Sequence, residues 1–425
     1  MNKVVIIDGC RTPFLKSGTD YMDLMSYQLG GFAIKGLLNK TGIDPEQVDG
    51  VIMGNVISNV KTPNVAREAA LAAGIPNTTP CRTVSQACIS ANRAISDACL
   101  EIMTGQNDIL IAGGIDHTSD SPILFKRKMR KKLFKAQKLK TMGDNLKFLT
   151  SLRFSDFVPE RPAVAEYTTD RVMGEDCDIM AASFGISRED QDAYAVRSHQ
   201  YAAKAHDEGH LPAEMVDVHL PPHFKNIDKD NGVRGNSTVE KVAKLRPAFD
   251  RKYGTLTAAN SSFLTDGASA VLIMSEKKAK ELGIKVKAEV VDFAFSGQRL
   301  EDELLLGPAY ATSKLLAKTK MKLEDMDVIE FHEAFAGQIL SNLKALSSDE
   351  FATKNLGRKK AVGTVPMEKF NLWGGSLSIG HPFGATGGRL VTTTANRLIH
   401  ENGTYGLLAA CAAGAHGHAM ILKRV

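Results

Sequence analysis

Four short stretches of this chain carry side chains that could do chemistry. The first is "VSQACISANRAI", residues 84–95, where Cys88 stands at the start of a helical pattern. A helix N-terminus carries partial positive charge and unpaired N–H groups, and both favour a thiolate over a thiol. On this stretch alone Cys88 fits a buried filler as well, since free cysteine is among the most buried residue types. The second is "NLWGGSLSIGHPFGATGGRL", residues 371–390, with His381 between Gly380 and Pro382 on a rigid turn. Its six glycines let backbone come close to something, which a plain turn with a satisfied histidine does not require. The third is "AACAAGAHGHAM", residues 409–420, where Cys411 is followed by small residues that leave backbone amides free to face a ligand. Core packing explains that stretch equally well. The fourth is "FHEAF", residues 331–335, in which His332 and Glu333 end an apolar strand and a histidine could hold a water or a carbonyl oxygen.

The elements around these stretches come in two copies. "VDGVIMGNV" at 48–56 and "MDVIEFHEAF" at 326–335 each read as a short apolar strand after an acidic, helix-like segment. Cys88 then leads into a helix with Ala91, Ile95, Ala98 and Ile102 on one face, stopped by Gly105 and followed by the strand "DILIAGG". In the later copy "GHPFGATG" leads into "GRLVTTTANRLIHENG", and the strand "YGLLAAC" follows. Loop, helix and apolar strand thus recur in the same order. Strands alternating with helices predict an α/β fold with mostly parallel sheets covered on both faces. Loops at strand ends would then meet at the junction of the copies, where α/β proteins place ligands. The segment from 119 to 261, with "PPHFKNIDKDNGVRGN", reads as an inserted, loop-rich domain over that junction.

Bulk properties narrow the class. With 425 residues, 43% apolar and 24% charged, the chain can bury a real core and predicts two or three domains, or one fused pair. No apolar run reaches 18 residues, so no spanning helix is expected. The opening "MNKVVIIDG" leads straight into a strand, which predicts a cytoplasmic protein without signal or transit peptide; a processed mitochondrial form would look the same. The six cysteines form no CxxC pairs, which points to thiols in a reducing compartment and to no structural metal. The net charge of +5 is local: residues 126–140, "KRKMRKKLFKAQKLK", hold nine Lys or Arg and no acid, and without them the chain would stand at −4. Such a run is a solvated face, or it meets an acidic partner, an anionic membrane surface or ligand phosphates. No nucleic-acid motif accompanies it, so nucleic acid is not expected as a partner.

The four stretches together resemble the thiolase family. Asn371–Gly387 follows its pattern N-x-x-G-G-x-L-S-x-G-H-P-x-G-A-T-G, "RTPF" at 11–14 matches its opening, and "TLTAANSSFLTDGAS" at 255–269 resembles its T-x-T-A-x-N segment. The likeness runs in order over nearly the whole chain. Three motifs depart from common forms: His332-Glu333-Ala334-Phe335 stands for N-E-A-F, Cys88-Ile89-Ser90-Ala91 for C-x-S-G, and Cys411-Ala412-Ala413-Gly414 for C-x-G-G. With the basic insertion, this set is most similar to the thiolase subunits of fatty acid β-oxidation multienzyme complexes.

The resemblance implies a thiolase fold of two duplicated βαβαβαββ-type halves packed face to face. The halves would be 1–118, completed by 262–285, and 286–425, with 119–261 inserted. It implies thiolysis of a 3-ketoacyl-CoA by CoA, with CoA as co-substrate, no permanently bound cofactor and no metal. Cys88 would be the nucleophile, His381 the base that takes its proton, and Cys411 the acid and base at the acetyl carbon. The oxyanions would be held by His381 with His332, and by N–H groups of Cys88 and of Ala413 or Gly414; Glu333 would orient His332 or its water. Ser262 and Phe335 would line the pantetheine channel. Implied partners are a second copy, or more, of this chain and an enoyl-CoA hydratase/3-hydroxyacyl-CoA dehydrogenase α subunit. Peripheral membrane contact would run through 126–140. Open alternatives are a ketoacyl synthase, disfavoured by Cys411 and the G-H-P turn, an acetoacetyl-CoA thiolase, and a subunit that mainly docks others.

Overall fold

Strand β1, Val4–Arg11, is buried along almost its whole length, as a strand covered on both faces must be. Helix α1, Ser26–Thr41, ends at Gly42 in the left-handed conformation. Strand β2 (Gly50–Gly54), helix α2 (Val65–Ala73), strand β3 (Cys81–Val84), helix α3 (Ser90–Met103) and strand β4 (Ile109–Asp116) follow. The computed structural model describes residues 1–160 and 165–425. Beyond β4 the chain forms α4 (Arg127–Ala136), α5 (Met142–Ser151), α6 (Met173–Ser183) and α7 (Arg188–Asp207). It then returns as β5, Thr265–Ser275, which enters the first sheet between β1 and β4. Ser269 of β5 stands opposite Arg11 on one side and Gly114 on the other.

The second half repeats the plan with β6 (Ala288–Gly297), α8 (Gly307–Thr319), β7 (Val328–Phe331) and α9 (Ala336–Ser347). After the one-turn helix α10 (Ser376–Ile379) come α11 (Thr386–His400), β8 (Tyr405–Ala412) and β9 (His416–Arg424). The counterpart of β3 is reduced to one bridge between Ile329 and Phe370.

Five layers result. Helices α1 and α2 cover the outer face of the first sheet, around Leu29, Ile34 and Ile115. Helices α8 and α9 cover the outer face of the second, around Leu315, Ile339 and Phe331. Helices α3 and α11 lie between the sheets, where Ile95 and Leu390 join a core that includes Ile6, Ala112, Leu408 and Ala410. Truncating a side chain such as Leu390 in so closed a layer costs about 2–5 kcal/mol.

One expectation is corrected and another extended. The sheets are not mostly parallel: β2–β3, β2–β4 and β7–β8 are parallel, while β1–β5, β4–β5, β1–β6, β6–β9 and β8–β9 are antiparallel. Crossover helices make the parallel pairs, but β8 and β9 are joined by only Ala413, Gly414 and Ala415, which permits only a hairpin. Nor do the halves meet only through their faces. Val5 pairs with Glu289 and Ile6 with Ala288, so β1 and β6 weld the two sheets edge to edge into one path of nine strands. The segment 119–261 carries helices α4 to α7 between long turns and loops, and the 20-residue α7 packs against α9 and α10. Residues 161–164 of that segment lie outside the described residues.

Candidate active site

Ser90, the first residue of α3, builds the turn that presents Cys88. Its hydroxyl accepts from the Gln86 N–H at 2.8 Å and donates to the Ala87 carbonyl at 2.7 Å. Ala87 sits at φ +46°, a left-handed conformation that a non-glycine residue adopts at some cost and that aims Cys88 out of the helix line. The half-buried Cys88 opens onto a cavity of about 510 Å³ that Cys411 and His381 also line. Ala413 closes one side of it, and Ser262 and Phe335 lie on its wall.

The glycines of 371–390 have specific tasks. Gly374, at φ +76°, lies against α7, where a Cβ would fall 2.6 Å from that of Ala202. A Cβ on Gly375 would fall 2.3 Å from the Glu333 carboxylate carbon. Gly380, at φ +111°, turns the chain so that the His381 N–H donates to Thr265 Oγ1 at 2.9 Å. His381 Nδ1 lies 2.6 Å from Thr386 Oγ1, and the Thr386 hydroxyl has the Pro382 carbonyl as its acceptor at 3.0 Å. Nδ1 therefore carries the imidazole proton and donates it to Thr386. Nε2 is left with a lone pair, buried and without a partner among the described residues. That is the form of a general base.

His332 follows β7, its N–H donating to the Ala409 carbonyl at 2.8 Å. Its ring lies 4.0 Å from that of His381, centroid to centroid, and its Nδ1 is 3.0 Å from Ser376 Oγ. Its Nε2 is also buried and unspent among the described residues.

The electrostatics of the pocket overturn one expectation. Burial among apolar groups pushes the Cys88 thiol up to about 12, against the pull of the Ala413 and Cys88 amides and with a further push from Asp116. Burial, with Cys88 beside it, likewise holds the Cys411 thiol well above the usual range. Burial and the nearby Arg389 charge bring His381 down to about 3. His332 is lowered well below its usual value by burial, then by His381 and Arg389. The helix N-terminus does not produce a resting thiolate at Cys88, because desolvation outweighs it. All four shifts favour the neutral form in the free site.

Two roles are corrected by contacts. The Gly414 N–H donates to the Glu166 carboxylate at 2.8 Å, which leaves the amides of Cys88 and Ala413 to face the cavity. Glu333 does not orient His332, whose Nδ1 partner is Ser376. Its buried carboxylate instead accepts from Tyr194 (2.8 Å), Ser198 (2.7 Å), Asn371 Nδ2 (2.8 Å) and the Leu377 N–H (3.3 Å). It thus bolts α7 and the 371–377 loop to the end of β7. Sequence reasoning missed Ser376, Arg389, Thr386 and Asp116. Asp116 accepts from the amides of Val56 (3.1 Å), Ile57 (2.8 Å) and Gly384, pinning the histidine loop to the first half, and burial raises it to about 7. An acid ending an otherwise apolar strand, as in "DILIAGGID", was the available signal.

A nucleophilic thiol, a second thiol and a histidine, brought by loops of two repeated halves into one apolar cavity, define an acyl-transfer enzyme built on the thiolase fold. Family models agree: "Thiolase, N-terminal domain" matches residues 4–277 and "Thiolase, C-terminal domain" matches 284–424. The chain belongs to the thiolase family. It is 54% identical over 423 residues to the mitochondrial trifunctional enzyme subunit beta of Homo sapiens, covering 100% of this chain and 89% of that one. It is 46% identical over 422 residues to a 3-ketoacyl-CoA thiolase of Serratia proteamaculans, covering 99% and 97%. Among solved structures, human mitochondrial 3-ketoacyl-CoA thiolase matches with a TM-score of 0.85 at 30% identity, covering 100% of this chain and 99% of that one.

Proposed function

We propose that this chain is a 3-ketoacyl-CoA thiolase of fatty acid β-oxidation. The observation that carries the reading is the single apolar cavity shared by Cys88, His381 and Cys411. Cys88 Sγ attacks C3 of the substrate as its proton passes to His381 Nε2, so that the thiolate forms only as the new bond forms. The amides of Cys88 and Ala413 face the oxyanion at C3. The C2–C3 bond breaks and leaves the acyl group on Cys88 as a thioester. The departing acetyl-CoA enolate is met by the new His381 Nε2–H and by His332, or a water it places, and Cys411 donates a proton to C2. CoA then enters, gives its thiol proton to the Cys411 thiolate and attacks the thioester, and Cys88 recovers its proton from His381. Removing one oxyanion donor from such a site costs about 10²–10³ in rate.

CoA is the co-substrate of this reading; a solved human relative at 30% identity is described in complex with CoA. The motif subtype and the trifunctional-enzyme relatives favour a hydratase–dehydrogenase α subunit as partner, with this chain at least dimeric. Peripheral membrane contact is supported by α4 and α5, where exposed Lys128, Lys131 and Lys135 stand among exposed Phe134, Leu146 and Leu149. No helix among the described residues is long and apolar enough to cross a membrane.

The test is thiolysis of 3-ketohexadecanoyl-CoA and acetoacetyl-CoA at equal concentration, with and without the partner, and with Cys88→Ala as the blank. Preference for the long chain supports the β-oxidation reading. Preference for acetoacetyl-CoA makes the chain a short-chain thiolase, and no cleavage leaves a docking subunit. Charge reversal at Lys128, Lys131 and Lys135 that leaves binding to anionic vesicles unchanged removes the membrane role.

A further inference from the structure

A buried arginine behind the two histidines calls for an explanation. Arg389, on α11, is 1% exposed. Its Nη1 stands 3.9 Å from Glu330 Oε2, too far for a hydrogen bond, while Glu330 bonds Arg397 at 2.7 Å. Its Nε and Nη1 have no acceptor among the described residues. Its one hydrogen bond among them runs from Nη2 to Ser376 Oγ at 3.3 Å. A guanidinium can only donate, so Ser376 Oγ accepts here. Among the described residues the remaining neighbour of that hydroxyl is His332 Nδ1 at 3.0 Å, so the Ser376 proton has His332 as its acceptor.

We propose that Ser376 and Arg389 are positioning residues: Arg389 donates to Ser376, Ser376 donates to His332 Nδ1, and His332 is thereby held as the tautomer with its proton on Nε2. The inference rests on the thiolase reading and deepens it. The two adjacent imidazoles are then set to opposite tautomers by opposite partners. Thr386, whose own proton has the Pro382 carbonyl, makes His381 Nε2 an acceptor; Ser376, already taking a bond from Arg389, makes His332 Nε2 a donor. Once His381 has taken the Cys88 proton, both rings present an Nε2–H, and the enolate oxygen meets two donors without any ring turning. The chain that carries histidine where many thiolases carry asparagine thus keeps a donor at that place, and the hydroxyl behind it sets which nitrogen is protonated. Burial, and after it the Arg389 charge, opposes protonation of both rings.

Two measurements test this. The first is the ¹⁵N spectrum of histidine-labelled Cys88→Ala protein, with the His332 signals assigned by their loss in Cys88→Ala/His332→Asn. A protonated Nε2 and an unprotonated Nδ1 are expected, and a protonated Nδ1 overturns the proposal. The second is kinetic. Ser376→Ala should lower kcat by about 10²-fold, the order for losing one oxyanion donor, with KM little changed. Ser376→Thr, which keeps the hydroxyl, should recover most of kcat. In a His332→Asn background Ser376→Ala should have little further effect; an equal loss there makes Ser376 merely structural and refutes the relay. The spectrum needs no change at residue 376 and no turnover. It therefore decides the tautomer even if Ser376→Ala does not fold or the chain proves not to cleave 3-ketoacyl-CoA.

Discussion

Replacing Glu333 by glutamine tests whether the bolt behind the site holds it in register. The carboxylate accepts from four donors, two on each oxygen: Tyr194 and Asn371 on Oε1, Ser198 and Leu377 on Oε2. A glutamine keeps one oxygen and turns an NH₂ toward the other pair. If the NH₂ faces Ser198 and Leu377, the serine can turn to accept, its proton passing to Ser378 Oγ 3.0 Å away, but the Leu377 N–H is orphaned. If it faces Tyr194 and Asn371, the Asn371 N–H keeps the Tyr194 oxygen at 3.3 Å, but the phenol O–H loses its acceptor. Either way one buried donor loses its acceptor, at about 1–3 kcal/mol, and the other bonds lose their charge assistance. Relief from burying a charge offsets part of this, so a net loss of about 2–3 kcal/mol is expected in the denaturant midpoint. Because Ser376–Ile379 and His381 hang from the same loop, kcat should fall about tenfold with KM nearly constant, equivalent to about 1.4 kcal/mol. Glu333→Gln with an unchanged midpoint and unchanged kcat would refute the reasoning, since it would mean the four bonds position nothing.

Cys88→Ala should reduce thiolysis to background while its thermal midpoint stays near that of the parent, because the thiol opens on a cavity; normal turnover would falsify the nucleophile assignment. Gly375→Ala should lose at least about 2 kcal/mol of stability, because its φ is ordinary but its Cβ has no room beside Glu333; a soluble variant of normal midpoint would show the loop to be slack. His418, buried between Asn92 and Ser96, is brought down to about 3 by burial. A depressed folded-state pKa gives stability that is whole above the unfolded value near 6.5 and fades as pH falls toward 3, by about 1.4 kcal/mol per unit. His418→Gln should therefore flatten the acid limb of the stability curve by one proton, and an unaltered slope would contradict the burial argument.

The reactive residues were legible because their types are rare in such settings. A cysteine before a helix, a second after a strand and a histidine on a Gly-Pro turn are informative together. The two copies of loop, helix and strand were legible from periodicity. Strand direction was not, because period two is the same in parallel and antiparallel ladders, and only the three-residue turn at 413–415 betrays the hairpin. The partners of Glu333 were hidden by distance: Tyr194 and Ser198 are 139 and 135 residues away. Both belong to α7, in a segment whose polar residues read as loop and in fact face inward to serve that carboxylate. The protonation of Cys88 was misjudged because the helix dipole is a local property, whereas desolvation is supplied by Phe335, Ala413 and other residues remote in sequence.

The place of β5 constrains how the chain is made. It is an inner strand, paired on both sides, yet it is synthesised about 150 residues after β4 and more than 250 after β1. Until Ser275 has left the ribosome, β1 and β4 have no strand between them, and each offers an open row of N–H and C=O groups to any other chain. The N-terminal half therefore cannot complete its sheet during its own translation. Its closure waits on the inserted helices, and for most of that time the nascent chain carries β1 with no strand partner and β4 with one edge open, which is the interval in which a chaperone or a neighbouring nascent chain would decide its fate.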